Sequence, residues 1–575
     1  MKKRIDLPFL CTLLLGQYLL VLLFISLFFF LDLGLLSTVL PLSTVLAILV
    51  SLKFRSQLSL SEKLFRNTLL VYFFLLIFSV ALCLLLFDNS WDGQTYHMQT
   101  VLSLSTGWNP FYTLISSDIA NAIWVNHYPR GFELLGTSYF ALIKNIEVIK
   151  ISNILVAWAS LAITIHFFSR QVQLTLFVQR LLIATLCLNP ISTTQLFSGM
   201  VDGQVYNLLV IIVLGFLSAQ HTKLLAIPVL SALVILASLK FTGLVYAVLF
   251  LGSGLLYRLI KKEISIAAAV RYGVVFIFLT AWVNYSPYGV NIKREQHIFF
   301  PLMGSTPVNI MTGTNMPEQF KDQNRFEKFF SSLSARSSNV HGNSVAPPPV
   351  FKIPFTFRLS ELTVFKASSI LYGALGPFFS GVLLISIVLL IGLSFTVQFA
   401  RVRPIFLLLL FISFTIFLNP ECWVSRYVPQ LWTIPIIIAI ASLSLLSASS
   451  ILYRIGGFCL LLLSINGLMA GVVNWSANYI ISRQIEDEYR WMSKTNQKIC
   501  FKENDFCSTK KRMERFGVKA IELSRYDKPP QGAYTVFFPL TTKSEVFIPS
   551  SIPPYEPSSF FSILSSYVKI GRAHV

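Results

Sequence analysis

Apolar runs of roughly 17 to 25 residues recur along this sequence, and they decide its fold class before any motif is read. Inside lipid, only helices and closed barrels satisfy their own backbone N–H and C=O groups. The runs lie near residues 7–31, 38–52, 67–87, 150–168, 180–198, 204–220, 224–239, 241–257, 263–283, 373–399, 404–418, 428–450 and 456–474. They predict an all-α polytopic membrane protein with about 13 transmembrane helices. Gly131–Ile143 is shorter and reads as a juxtamembrane or re-entrant helix. Composition agrees, because 54% of the 575 residues are hydrophobic, only 13% are charged and the mean hydropathy is +0.68. An ordinary soluble domain is excluded. The first run follows Met1-Lys2-Lys3-Arg4 but is too long for a signal peptide and has no small-residue cleavage site, so it reads as a retained helix.

Short loops rich in Lys and Arg mark the cytoplasmic side. Lys2, Lys3, Arg4, Lys53, Arg55, Lys63, Arg66, Arg170, Arg180, Arg258, Lys261, Lys262, Arg401 and Arg403 all fall on one side of the span count. That parity puts residues 88–149, 199–203, 284–372, 419–427 and everything after about 475 outside. The expected organisation is an N-terminal helical hairpin (1–66), a transmembrane domain (67–474) with exofacial loops 88–149 and 284–372, and an exofacial C-terminal region (475–575).

The net charge of +20 and pI near 9.6 invite a nucleic-acid partner. Much of the excess lies in the inside loops and the tail, where topology and contact with anionic lipid account for it, so no nucleic acid is expected. Of the seven cysteines only Cys500 and Cys507 are near neighbours in an outside segment, where a disulfide and two free thiols are equally admissible. Residues 331–349 are Ser-rich and end in Ala346-Pro347-Pro348-Pro349, which predicts a flexible middle to the second large loop. The tail reads as a helix around Ile480–Met492 followed by strand-like runs such as Ala533–Phe538, hence a small α+β unit. The last six residues, Ile570 to Val575, read like the translated frame of a sequencing-library adapter.

Ionisable residues inside the spans, the mark of an ion-driven transporter, are almost absent on this reading, and Lys240 comes nearest. The chemistry is therefore sought at the outer face. There the parity gathers Asp88, Asp92, Asp118, His127, Arg130, Glu133, Asp202, Lys240, Lys293, Arg294, His297 and Arg426. Carboxylates beside cations at a membrane surface suit a reaction between a lipid-linked phosphate and a hydroxyl or amine. The cations hold the phosphate by charge-assisted hydrogen bonds while a carboxylate accepts the acceptor's proton. Asp92 stands out, in Trp91-Asp92-Gly93-Gln94-Thr95-Tyr96-His97 directly after a spanning run. Val201-Asp202-Gly203-Gln204-Val205-Tyr206 echoes it at four positions, too few to establish a repeat.

These residues carry a family resemblance. An acidic motif on the first exofacial loop, Gly107-Trp108-Asn109-Pro110 beyond it, His127-Tyr128-Pro129-Arg130-Gly131 before the next helix, Ser238-Leu239-Lys240-Phe241-Thr242-Gly243, and Ser425-Arg426-Tyr427-Val428-Pro429 before a late span follow one another in order. Over residues 65–450 the chain resembles the multispanning GT-C glycosyltransferases, which use polyprenyl-phosphate-linked sugars. The resemblance implies a GT-C-like fold and an inverting transfer from a polyprenyl-phosphate sugar to a lipid, glycan or protein acceptor in cell-envelope biogenesis. It also implies a multi-pass protein of a bacterial inner membrane with its active face periplasmic or extracellular. Asp92, or Asp88, would be the base; Lys240, Arg426 and Arg130 would hold the donor phosphate; His97, Tyr96, His127 and Asp202 would line the acceptor side. The family's loop often carries two adjacent acidic residues, whereas Asp92 is followed by Gly93 and Asp88 lies four residues earlier. Metal dependence therefore stays open, with Mg or Mn as the candidate ion.

Each residue also has a structural reading. Asp92 and Asp202 can cap helices, His97 and His127 can serve as loop hydrogen-bonding residues, Arg426 and Lys240 can snorkel to headgroups, and Trp91, Trp108 and Trp124 can form an interface belt. An O-antigen-type polysaccharide polymerase or ligase, a lipid transporter and a non-enzymatic envelope partner are the competing functions.

Overall fold

The structure, a computed structural model, describes residues 5–54, 60–171, 173–218, 226–311, 315–339, 345–373, 375–495, 497–502, 505–524, 527–528, 534–540 and 544–557. Lys2, Lys3, Arg4, Arg55, Ala533 and the adapter-like residues 570–575 lie outside the described residues. Among the described residues nine helices are long and apolar enough to cross a membrane: Leu7–Phe30, Leu36–Lys53, Glu62–Leu85, Ile146–Phe168, Phe241–Ile260, Ile266–Val283, Phe379–Thr396, Phe399–Leu418 and the first part of Ile451–Lys494. Shorter apolar helices run over Gly131–Ile143, Leu176–Cys187, Asp202–Ser218, Ala226–Ala237 and Thr433–Leu445. The chain is that of a polytopic membrane protein.

Several expected spans are shorter or broken, for local reasons. The run at 180–198 divides into Leu176–Cys187 and Pro190–Gln195. Pro190 has no N–H to continue the first piece, and the Asn189 side chain caps the second by accepting from the backbone N–H of Ile191 and Ser192 at 2.9 and 3.1 Å. Pro429 likewise opens a 3-10 turn, Pro429–Trp432, before Thr433–Leu445 begins. Between Ala226–Ala237 and Phe241–Ile260 the chain turns sharply at Lys240, whose backbone is extended.

The Leu7–Phe30 and Ile146–Phe168 helices are the most enclosed of the nine, 56% and 78% buried over their apolar windows. Leu7–Phe30 starts at a cap made by Asp6, which accepts from Phe9 N–H at 2.9 Å. Its side chains share one core with those of the later helices, so the N-terminal hairpin packs into the main body. Other helices keep apolar faces outward, including Leu70, Phe74 and Ile77 on one and Ile277 and Phe278 on another, as lipid-facing helices do.

Charge does enter a span. Glu147 and Lys150, 1% and 0% exposed, form an ion pair of 2.8 Å at the start of Ile146–Phe168. This buried pair at the edge of an apolar run stands beside Lys240, which the sequence marks as the nearest case to an intramembrane ionisable residue.

The second large loop carries a helix over Arg325–Leu333 with an Asn324/Glu327 capping box and buries Phe320, Tyr372 and Trp423 together. Of the segment expected to be flexible, 340–344 lies outside the described residues, while Ser337, Asn339 and Ala346 are buried. Ile451–Lys494 passes without a break from the membrane region into the tail. The tail folds as strands β1 (Ile499–Lys502), β2 (Ala520–Leu523), β3 (Tyr534–Phe537) and β4 (Glu545–Pro549) in the order β2-β1-β4-β3, with β1 and β2 parallel and the other pairs antiparallel. No disulfide joins Cys500 and Cys507.

Candidate functional site

Four turns far apart in sequence bring their charged residues into one cluster. Arg426, in the 3-10 turn Ser425–Tyr427, directs the same guanidinium nitrogen at Asp92 Oδ2 (3.2 Å) and Asp202 Oδ2 (3.3 Å). Lys240 Nζ reaches Asp202 Oδ1 at 2.5 Å. The Tyr427 ring lies under both cations, 4.4 Å from Lys240 Nζ and 4.9 Å from the Arg426 guanidinium carbon. Gln195 donates to Asp202 Oδ2 at 3.2 Å and also to the Ser368 carbonyl. Its Oε1 accepts from Gly203 N–H at 2.8 Å, which locks the start of the Asp202 helix. The two aspartates of the repeated Asp-Gly-Gln motif thus meet on one arginine.

Arg426 is held charged. Burial alone would lower its pKa, but Tyr427, Asp92, Asp202 and Tyr96 outweigh burial and leave it raised. Its Nε is buried and, among the described residues, has no hydrogen-bond partner. Asp92 lies within the first turn of a helix in helical conformation and, among the described residues, makes no side-chain cap bond, and Arg426 points inward, so neither plays the structural part open to it in the sequence. Tyr96 stands beside the cluster with its pKa pushed well above 10.0, by burial first and then by Asp92.

The other sequence candidates lie apart. Asp88 is fully buried and both its oxygens are engaged: Oδ1 accepts from Ser90 N–H (2.8 Å) and Ser90 Oγ (2.7 Å), and Oδ2 accepts from Gly199 N–H (2.7 Å). It ties the Asp92 loop to the turn before Asp202, and Gly93 and Gly199 leave no room there for a Cβ. Burial raises the Asp88 carboxyl above its ordinary value, with Lys150 and Ser90 pulling the other way. Both carboxylate oxygens of this candidate base are thus spent on bonds that brace the Asp92 segment.

Arg130 also faces away from the cluster. It is 2% exposed, donates to the carbonyls of Val125 and Asn126 and to Ser286 Oγ, and packs on the Trp108 ring at 5.1 Å. Burial pulls its pKa down to about 10. Its neighbour Gly131 does serve the site: Gly131 N–H donates to the Ser238 carbonyl at 2.7 Å, and the absent side chain lets the Lys240 turn come close. His97 is paired with Glu133 at 2.6 Å, and His127 with Asn291 at 2.8 Å, both buried.

No known protein family, curated protein or solved structure matches this chain. The site has to be read from its own residues.

Among the described residues no three His, Cys, Asp or Glu side chains converge as metal ligands. Asp92 and Asp202 meet on a guanidinium, and His97 is turned to Glu133.

Sequence reasoning missed Gln195, Ser368 and the ring of Tyr427. The Ser425–Pro429 motif named Tyr427 without a role, and no local signal marks Gln195.

Proposed function

We propose that the protein is a membrane glycosyltransferase that moves a sugar from a polyprenyl-phosphate donor to an acceptor, with Asp92 as the base and Lys240 and Arg426 as the phosphate site. The observation that carries this reading is the convergence of Asp92, Asp202, Lys240 and Arg426 from four separate turns on one Tyr427-backed cluster.

In this reading the donor phosphate enters between Lys240 and Arg426 and takes over hydrogen bonds now made to Asp202 and Asp92. Phosphate oxygens accept charge-assisted bonds from both cations, including Arg426 Nε, which has no partner among the described residues. Release from Arg426 leaves Asp92 Oδ2 free to accept the acceptor's proton as its oxygen or nitrogen bonds to the anomeric carbon. The sugar–phosphate bond breaks on the opposite face, and its electron pair leaves on the phosphate, whose charge the two cations balance. A phosphate leaving group is weakly basic, so one carboxylate suffices where glycoside hydrolysis uses two. Before the donor arrives Asp202 orients Lys240 and Arg426, and on transfer the anomeric centre inverts.

The test is sugar transfer from polyprenyl-phosphate donors in membranes holding wild type or Asp92→Asn, with and without chelator. Loss of transfer in the variant at normal insertion supports Asp92 as base. Undiminished transfer moves the base elsewhere, chelator sensitivity would reveal a metal, and absence of transfer by wild type would favour the polymerase or non-enzymatic alternatives.

A further inference from the structure

The C-terminal domain grips the segment that carries Asp92. Arg512, on the helix Ser508–Arg515 and 1% exposed, donates to the Asp88 carbonyl at 2.7 Å, to Gln94 Oε1 at 2.9 Å and to Glu147 Oε1 at 2.8 Å. Ser508 Oγ donates to the same Gln94 oxygen at 2.9 Å, and the Cys507 thiol lies 3.5 Å from the Gln94 carbonyl. The Phe506 ring meets Trp91 edge to face at 5.0 Å. Contacts from residues 506–512 therefore fall at positions 88, 91 and 94, on both sides of Asp92.

We infer that Arg512 is a positioning residue for the transfer site: the C-terminal domain sets the Asp92 loop in its working geometry by clamping Asp88 and Gln94. This rests on the function proposed above. Three acceptors on two parts of the chain, the 88–94 segment and Glu147, converge on one planar guanidinium, which holds the segment at fixed distances from the Glu147 helix. Asp88 passes that order on to the turn before Asp202 through Gly199. Catalytic alignment is sensitive to such supports, since a shift of about 1 Å in a reacting group costs on the order of 10²-fold in rate.

The experiment uses the full chain in membranes and compares wild type, Arg512→Ala, Arg512→Lys and Phe506→Ala. Two readouts are taken: kcat and donor KM for transfer, and amide hydrogen exchange over residues 88–96 against the membrane helices. The expected result for Arg512→Ala is a kcat loss on the order of 10²-fold with donor KM unchanged, and faster exchange confined to 88–96. Arg512→Lys, which keeps the charge but not the fork, should fall between. Phe506→Ala removes no charge partner and so remains informative if Arg512→Ala does not accumulate; it too should lower kcat and loosen the loop. Unchanged kcat, a change in KM alone, or exchange that rises uniformly through the helices in both variants would overturn the inference. If wild type transfers no sugar, the functional reading has failed, and localised exchange over 88–96 then decides the clamp alone.

Discussion

The Glu147 cluster and the Asp92 cluster lie on opposite ends of the same short segment and are finished differently. In the first, Glu147 Oε2 accepts from Asp88 N–H (2.7 Å) and Lys150 Nζ (2.8 Å), Oε1 accepts from Arg512, and Lys150 also donates to the Leu86 carbonyl. Its three charged side chains are 0–1% exposed. In the second, Asp92, Lys240 and Arg426 are 25%, 15% and 13% exposed, two carboxylates share one guanidinium nitrogen, and Arg426 Nε has no partner among the described residues. A closed buried network fixes a fold, whereas an open one with unused donors is suited to admitting a charged ligand. The difference separates what holds this protein together from what it is proposed to act with.

That separation can be broken most directly at Asp92. Asp92→Asn should lower transfer on the order of 10²- to 10⁴-fold, the range for a lost general base, with little change in unfolding. A variant that loses stability instead would put Asp92 with the structural cluster. Glu147→Gln should do the reverse, leaving Lys150 and Arg512 underneutralised and costing about 3–5 kcal/mol of stability. Chemical unfolding in micelles measures it, and a cost below about 1 kcal/mol would mean the network is wetter than its burial implies. Lys240→Met tests the open cluster from the donor side. Losing a hydrogen bond to a charged group, worth about 1.5–3 kcal/mol, should raise donor KM roughly 10- to 100-fold. Folding should survive it, because Asp202 keeps Arg426 and Gln195.

How much of this was legible follows from how far each signal reaches along the chain. Hydropathy is local, so the helices stood in the sequence, and their breaks at Asn189-Pro190 and Pro429 carried visible markers. Parity counting adds one long-range expectation, the side on which a loop emerges, and it put Asp92, Asp202, Lys240 and Arg426 in one group, four residues that the structure brings into contact. It did not tell contact from co-residence: Asp88 and Arg130 share that side but turn into packing, because a carboxylate four residues from Asp92 looks alike in sequence whether it faces a substrate or a glycine N–H. Arg512 read as one more charge in a basic tail. Its partners at positions 88, 94 and 147 are set by tertiary folding alone. Glu147 and Lys150, charges at the edge of a strongly apolar run, were the one signal that could have been weighed more heavily.

The smallest expected effect belongs to His127, which is buried like Glu147 but has a neutral partner. Asn291 Nδ2 donates to the His127 and Phe300 carbonyls, so its Oδ1 is left as acceptor and His127 Nδ1 carries the proton between them at 2.8 Å. Burial lowers the His127 pKa from its ordinary 6.5, and the Asn291 bond pulls back only part of the way. The unfolded chain therefore takes up the proton more readily than the folded one. The stability that neutral His127 contributes is fully present above 6.5 and is lost as pH falls through the folded value. His127→Gln keeps an N–H for Asn291 and removes the titration, so wild type should lose more stability than the variant on acidification from neutral pH. Thermal unfolding of the two proteins in the same micelles across that range measures the difference. Parallel curves would show that His127 does not titrate in this window, and a loss of sugar transfer in His127→Gln at neutral pH would move it from the packing of the outer loop to the acceptor side of the open cluster.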